Sequence, residues 1–320
     1  MSAPPEFTSS LADRMVQFIA FKHMQGYDYK SGARRLRLFD VFLSEIGYTG
    51  TVLDIDVLER LADDIAEQSR ATRVGRLSGV RQFSLYLHAL EPESVLLPPR
   101  LMPRGSQKIR FYPLSSAQVG ELMAATETLK PGNEILAECM RFLIGLLYST
   151  GLRISEALAL NLGDMDADES TLFVRRGKFR KERLLPMSPS TREAADQWLM
   201  RRADYAGNEP SAPLFVGDRN RRLLCGRSTR SFRRLCIHCG IEGEQPPRLH
   251  DLRHNYACAC IARWRETHED VNALLPVLAN AMGHASYYHS ELYLHIDTAA
   301  LRQACGKFKQ HVQHTLEHQQ

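Results

Sequence analysis

The segment EILAECMRFLIGLLYST, residues 134–150, decides the fold of the larger part of this chain. Apolar side chains occupy most of its positions and would surround a helix on all sides, so the segment can be stable only inside a core. Gly151 follows at once, and a glycine directly after the last apolar turn is typical of a helix C-terminus. We therefore predict a buried core helix that ends near Gly151.

The composition is that of an ordinary globular protein. A length of 320 residues is enough for two domains, and a hydrophobic share of 44% is enough for a substantial core. No apolar run approaches the roughly 18 residues that a membrane span needs, and the first residues lack the basic and apolar regions of a signal peptide. The seven cysteines, an odd number, do not suggest a disulfide framework. We therefore expect a cytoplasmic protein with no membrane partner.

The first part of the chain, residues 8–93, is predicted to be an all-helical domain. Its four segments with apolar residues near a 3.6-residue period are 10–25, 31–46, 51–68 and 73–90. Prolines and basic residues interrupt the pattern over 94–113, which we interpret as an interdomain linker. A second, larger domain is expected over 114–305, with Ser115 or Ser116 as the N-cap of its first helix. Residues 306–320 form a C-terminal tail.

One small sheet is expected in the second domain. The stretch TLFVRRGKFRKERLLPM, residues 171–187, predicts two short strands joined by a tight basic turn, a β-hairpin. The acidic stretch GDMDADES, residues 163–170, indicates a solvated loop, and further helices are expected over 190–305. The sequence thus predicts a mainly α fold with a small antiparallel β-sheet, of the α+β class.

Basic residues are concentrated in three separate runs. Residues 96–113 carry four cations and no acid, 175–183 carry six cations against one glutamate, and 218–234 carry seven arginines against one aspartate. A single run of this kind is usually solvated surface, whereas three of them indicate basic faces that meet a polyanion, with nucleic acid as the leading candidate. The candidates for contact with nucleic acid are Arg100, Arg104, Lys108, Arg110, Arg175, Arg176, Arg180 and Lys181.

Two arginines lie in surroundings that favour burial. Arg153 stands among leucines and isoleucine in STGLRISEALAL and needs an anionic partner, because an unpaired buried charge is costly. Glu156, three residues on, could supply that partner. In HDLRH, His250 and Arg253 share one helix face. The alternative is that both arginines and the imidazoles converge on an external anion such as a phosphodiester, which guanidinium can clamp bidentately.

The sequence offers little support for a metal or nucleotide cofactor, and we expect none. Cys236, Cys239, His250 and His254 come close to the spacing of a zinc finger, but the span between the two pairs is short and contains QPP. Buried structural thiols are the simpler interpretation of the cysteines. The chain has no Gly-rich phosphate-binding loop of the Walker type and no acidic cluster typical of a two-metal nuclease.

Three motifs follow one another through the second half of the chain: TGLRISEALAL, HDLRH and MGHASYYHSELYLHI. In this order they resemble the tyrosine recombinase family, which includes phage integrases and Xer-type resolvases. The resemblance also covers the architecture, since the N-terminal helices match the family's core-site-binding domain in kind. It implies Glu156 and His254 as supporting residues and a catalytic set that consists of Arg153, Lys178, His250, Arg253, His284 and Tyr293.

The resemblance also implies a role for each residue of the set. Tyr293, nine residues after His284, would attack the scissile phosphate and form a 3′-phosphotyrosyl bond, and Lys178 would protonate the departing 5′-oxygen. The arginines would stabilise the charge that builds up in the transition state. Two alternatives stay open. Tyr288 is the rival nucleophile, and Lys181 is the rival lysine because Phe179 replaces a glycine of the family's usual turn.

The function that the resemblance implies is site-specific recombination of double-stranded DNA without ATP or metal, by a tetramer assembled on two duplexes. Integration, excision, resolution and transposition share this chemistry and stay open. The alternative from another class is a non-catalytic DNA-binding regulator built on the same fold. The presence of every residue type of the catalytic set favours the enzyme.

Overall fold

The computed structural model describes residues 7–104, 111–129, 134–166, 168–175, 182–217, 221–243 and 246–283. The chain divides into two compact units, Met1–Ile109 and Arg110–Gln320. Each unit encloses a core of its own. Within the described ranges the fold is mainly helical with one small antiparallel sheet, as the sequence predicts.

The described part of the first unit contains the four predicted helices: α1 (Ala12–Met24), α2 (Lys30–Glu45), α3 (Ile55–Asp64) and α4 (Arg70–Leu90). Asp54 and Ser69 begin α3 and α4, because their side chains accept backbone N–H groups of the first turn. The apolar stripes meet around Phe18 and Phe83, whose ring centroids lie 5.6 Å apart. The helical prediction for this part of the chain is confirmed.

Residues 94–104 pack against this first unit. Leu97 is buried, its backbone N–H donates to the Ser84 hydroxyl at 3.1 Å, and the backbone N–H of Val95 donates to the Leu53 carbonyl at 2.7 Å. The described start of the predicted linker is therefore a packed part of the first unit. Its prolines exclude an α-helix but allow burial of the apolar residues between them.

The second unit is built around α6 (Glu134–Thr150), which packs against the other helices of its core. Gly151 ends this helix with a φ of +64°, so the prediction of a buried helix ending there is confirmed. Ser115 is the N-cap of the first helix and forms a capping box with Gln118. The remaining described α-helices of the unit are α5 (Ser116–Ala124), α7 (Ile154–Ala159), α8 (Pro189–Ala203), α9 (Cys225–His238), α10 (Leu249–Glu266) and α11 (Val271–Ala281).

The sheet has the order β1-β2-β3, with β1 (Met165–Asp166), β2 (Thr171–Val174) and β3 (Arg183–Pro186), all antiparallel. The two antiparallel strands of the predicted hairpin are confirmed, with Val174 opposite Arg183 at their described end. The predicted turn between them lies outside the described residues. The expectation of a solvated loop over 163–170 is wrong in its first half, because β1 lies there and Asp164 is buried. The Asp164 carboxylate accepts the backbone N–H of Asn161 at 2.8 Å, so it stabilises a turn.

Candidate active site

Arg153 and Glu156, at the start of α7, form the first part of the candidate site. Arg153 is the N-cap of α7, and the Glu156 carboxylate accepts its backbone N–H at 3.1 Å and its Nη1 at 2.7 Å. The Glu156 side chain is 3% exposed and that of Arg153 is 21% exposed. The prediction that Glu156 supplies the anionic partner of Arg153 is therefore confirmed, and about a fifth of the Arg153 side chain is still exposed.

Arg183, which the sequence did not single out, is the second partner of Glu156. It enters from β3 with a side chain that is only 7% exposed, and its Nη2 lies 2.9 Å from Glu156 Oε2. Burial alone would raise the pKa of Glu156, but the bonds with Arg183 and Arg153 outweigh burial and hold that pKa below its ordinary value. The carboxylate is thus held in its charged form between two guanidinium groups.

The start of α10 supplies the third part of the site. Arg253 is 1% exposed, and its guanidinium donates to the Gly151 carbonyl at 2.6 Å and to the Met282 carbonyl at 2.7 Å. Asp251, buried beside it, accepts from Arg248 at 2.9 Å and closes a capping box at the N-terminus of α10. Arg253 is therefore fixed between the end of α6 and the end of α11.

His250 and His254 lie one helical turn apart on α10 and contact each other edge to face, with ring centroids 4.7 Å apart. Burial lowers the pKa of His250, and the charges of Arg253 and Arg248 lower it further. Burial, followed by neighbouring His250, lowers the pKa of His254 to about 4. Both rings are therefore biased towards the neutral form, in which one ring nitrogen can accept a proton.

The three arginines converge on the carboxyl end of α11. Arg183 Nε donates to the Ala281 carbonyl at 2.8 Å, Arg253 donates to that of Met282, and Arg153 Nη2 donates to that of Gly283 at 2.8 Å. Each of the last three described carbonyls thus accepts from a different arginine. The carboxyl end of a helix carries partial negative charge, so cations are favourable there. In the sequence, His284 comes directly after this point.

Several predicted site residues lie outside the described residues: Lys178, His284 and Tyr293 of the catalytic set, their rivals Lys181 and Tyr288, and Lys108, Arg110, Arg176 and Arg180.

Among the described DNA-contact candidates, Arg100 pairs with Glu59 and Arg175 pairs with Asp164. The backbone carbonyl of Arg104 accepts from Arg70. Of the predicted catalytic and supporting residues, the structure brings together Arg153, Glu156, His250, Arg253 and His254.

The four residues whose spacing comes close to that of a zinc finger do not form a group of metal ligands. Within the described ranges, no three His, Cys, Asp or Glu side chains come together in a way that could hold a metal ion. Cys236 lies in the hydrophobic core of the second unit, and burial raises the pKa of its thiol to about 12.

None of the described helices combines the length and the apolar content that crossing a membrane requires.

Comparison with known proteins gives a consistent result. The sequence model of the phage integrase family matches residues 113–300. The chain is 31% identical to a putative integrase/recombinase, y4rE, of Sinorhizobium fredii, over 90% of this chain and 92% of that protein. It is 29% identical to the tyrosine recombinase XerC of Chlamydia caviae, over 75% of this chain and 73% of that protein.

Solved structures share the fold at lower identity. A XerH site-specific recombinase bound to a palindromic difH substrate superposes with a TM-score of 0.64 and 20% identity, over 87% of this chain and 80% of that chain. A lambda integrase dimer bound to a COC′ core site superposes with a TM-score of 0.62 and 16% identity, over 88% of this chain and 94% of that chain. At these identities the likeness concerns the fold.

Proposed function

The chain belongs to the phage integrase family, and from that premise we propose that it is a site-specific DNA recombinase, which cleaves and rejoins DNA through a 3′-phosphotyrosyl intermediate. One observation carries the proposal for this site. Arg153 and Arg253 are a hundred residues apart in sequence, yet both donate to carbonyls at the end of α11, directly before His284 in the sequence. His250, whose lowered pKa favours the neutral ring, lies beside them. Such a cluster of fixed cations suits a phosphodiester.

Arg153 is the group best placed to hold the scissile phosphate. Two of the five N–H groups of its guanidinium donate to Glu156 and Gly283, and the side chain keeps 21% exposure, so the other N–H groups can donate to an anion. Because the guanidinium is already fixed by the protein, it needs no reorganisation when charge builds up on the phosphate oxygens. Arg253 is more deeply buried and supports the same region from α10.

The nucleophile of the proposed reaction is Tyr293. A phenol with an ordinary pKa near 10 is a weak nucleophile at neutral pH, so a base must take its proton. His250 is suited to this role because desolvation and the neighbouring arginines lower the pKa of its ring and so favour the neutral form. The phenolate oxygen would attack phosphorus while the bond from phosphorus to the 5′-oxygen breaks.

Lys178 would give a proton to the departing 5′-oxygen, and His284 would donate a hydrogen bond to a phosphate oxygen. The product is a 3′-phosphotyrosyl bond together with a free 5′-hydroxyl. This bond keeps the energy of the original phosphodiester, so the 5′-hydroxyl of another strand can reverse the step without ATP. We propose that four protomers act together on two duplexes, because a complete exchange cleaves four strands.

Double-stranded DNA is the proposed partner, and we expect the protein to act in the cytoplasm. A basic face on the first unit, outside the three basic runs of the sequence, supports this partner. Arg70, Arg73 and Arg76 follow at three-residue spacing on α4, which contains no acidic residue. Arg35 of α2 lies against Gly75 and Gly79 of α4, which leave room for its side chain. Phosphate contacts of this kind supply most of the affinity for DNA.

The experiment that tests this function is a map of protein-linked DNA. Genomic DNA of the source organism is incubated with the protein, and fragments joined covalently to it are recovered and sequenced. We expect a small number of defined sites, cleaved equally well in EDTA, with binding that weakens steeply as salt rises. Binding without any covalent product would identify the regulator instead, and loss of cleavage in EDTA would contradict the metal-free chemistry.

A further inference from the structure

We propose that Arg183 is a positioning residue for strand cleavage, which fixes Arg153 and the end of α11 relative to each other through Glu156 and the Ala281 carbonyl. The inference rests on the proposed function and assigns a role to a side chain outside the catalytic set. Each guanidinium nitrogen of Arg183 already donates within the protein, Nε to the Ala281 carbonyl and both Nη atoms to Glu156, and the side chain is 7% exposed. It therefore acts through the groups that it holds.

The contacts of Arg183 join three separate elements. From β3, its Nη2 reaches Glu156 at the start of α7, and its Nε reaches the carbonyl of Ala281 at the end of α11. These partners are 27 and 98 residues away in the sequence. A planar guanidinium can make such bonds in fixed directions at the same time, which a lysine ammonium cannot do as well.

The same contacts place Arg153. Glu156 accepts from both arginines, at 2.7 Å from Arg153 and 2.9 Å from Arg183, while Arg153 also donates to Gly283. Gly283 has a φ of +63°, and a Cβ built on it would lie 2.8 Å from Arg183 Nη1 and 3.3 Å from Arg153 Nη1. The two guanidinium groups thus pack directly over the backbone that leads to His284.

Removal of Arg183 should therefore impair chemistry more than affinity. Glu156 would keep Arg153 as its partner, but the Ala281 carbonyl would lose its donor and β3 would lose this hydrogen bond to α11. A shift of about 1 Å in a reacting group can cost about 100-fold in rate. DNA affinity should change little, because most of it comes from phosphate contacts spread over the basic faces.

The test compares Arg183→Gln and Arg183→Lys with a matched control, Arg202→Gln. Arg202 of α8 is a buried arginine that also donates to backbone carbonyls, those of Pro213 and Gly207 at 3.0 and 2.8 Å, and it lies outside both the basic runs and the candidate site. Each protein is assayed on a duplex recovered by the cleavage map and nicked beside the cleavage position. Single-turnover formation of the covalent adduct, the Kd for the duplex and thermal unfolding are measured.

We expect Arg183→Gln to form adduct about 100-fold more slowly with a Kd close to that of the unmodified protein. Arg183→Lys should recover part of the rate, because it keeps the charge but reaches fewer partners. Arg202→Gln should lose stability and keep its cleavage rate at a temperature where it is folded. If Arg183 acts through Glu156, the double variant Arg183→Gln/Glu156→Gln should be little slower than the slower single variant.

A folded Arg183→Gln or Arg183→Lys protein that cleaves at the unmodified rate would overturn the inference. A loss of DNA affinity that accounts for the whole loss of rate would also overturn it, because Arg183 would then serve binding. If the unmodified protein forms no adduct on any DNA, the proposed function itself fails, and Arg183 has no reaction to position.

Discussion

Replacement of Gly283 by alanine tests how closely the arginines pack over the end of α11. Gly283 has a φ of +63°, and Gly240, at the end of α9, has a φ of +65°. A Cβ on Gly240 would have no described atom within 4 Å, whereas a Cβ on Gly283 would lie 2.8 Å from Arg183 Nη1 and 3.0 Å from its Cζ. Gly240→Ala is therefore a matched control for the backbone cost alone.

The expected magnitudes follow from these distances. A left-handed conformation costs a non-glycine residue about 1 kcal/mol, which both variants should show. In Gly283→Ala the Arg183 guanidinium must also shift, which weakens its hydrogen bonds to Glu156 and the Ala281 carbonyl by the equivalent of one bond to a charged group, about 2 kcal/mol. The sum is about 3 kcal/mol, so in a unit of this size the Tm should fall by about 10 °C, against about 3 °C for Gly240→Ala.

The assay combines thermal unfolding with single-turnover adduct formation on the mapped duplex. Gly283→Ala should cleave about 100-fold more slowly at a temperature where it is fully folded, and Gly240→Ala should cleave at the unmodified rate. Equal losses of stability and equal cleavage rates in the two variants would refute the reasoning, because they would show that no guanidinium is displaced.

Three further outcomes are expected. Gly151→Ala should destabilise the second unit by about 3 kcal/mol, measured by urea unfolding, because its φ is +64° and a Cβ would lie 2.4 Å from the Tyr256 ring; a stability like that of the unmodified protein would contradict the packing. The pKa of His254 is lowered to about 4 from its ordinary 6.5, so the folded state binds fewer protons than the unfolded chain and stability should be lost as pH falls from 6.5 towards 4. His254→Gln should show a shallower loss, and an unchanged pH profile of Tm would count against a buried neutral ring. Lys178→Ala should cleave ordinary DNA poorly and recover on a substrate whose 5′-bridging oxygen is sulfur, since a thiolate leaves without an acid; Arg153→Ala should not recover. If Lys181→Ala is the variant that recovers, the two lysines exchange roles.

The parts of the fold that depend on local pattern could be predicted from the sequence. The apolar run of α6 with Gly151 behind it, the capping Ser115 and the hairpin strands are all signals within a few residues. Arg153 and Arg253 could be identified because each lies in a motif of its own. The pairing of Arg153 with Glu156 could also be predicted, because the two residues are only three positions apart.

The contacts that complete the site left no such signal. Backbone carbonyls accept from Arg253 and Arg183, and a carbonyl has no sequence signature. Arg183 was counted within a basic run, although its two-residue spacing from buried Leu185 places it on the inner side of β3. In the same way, acidic Asp164 was interpreted as solvated because composition does not reveal a carboxylate that stabilises a buried turn.

The most direct test of the proposed chemistry is to locate the covalent bond itself. The protein is incubated with the mapped, nicked duplex, the DNA is trimmed with nuclease, and the digested protein is analysed by mass spectrometry for a peptide that carries a nucleotide. We predict a single modified residue, Tyr293, with the 3′-phosphate attached to its oxygen and no adduct in Tyr293→Phe. A nucleotide on Tyr288, or an adduct that persists in Tyr293→Phe, would contradict the assignment.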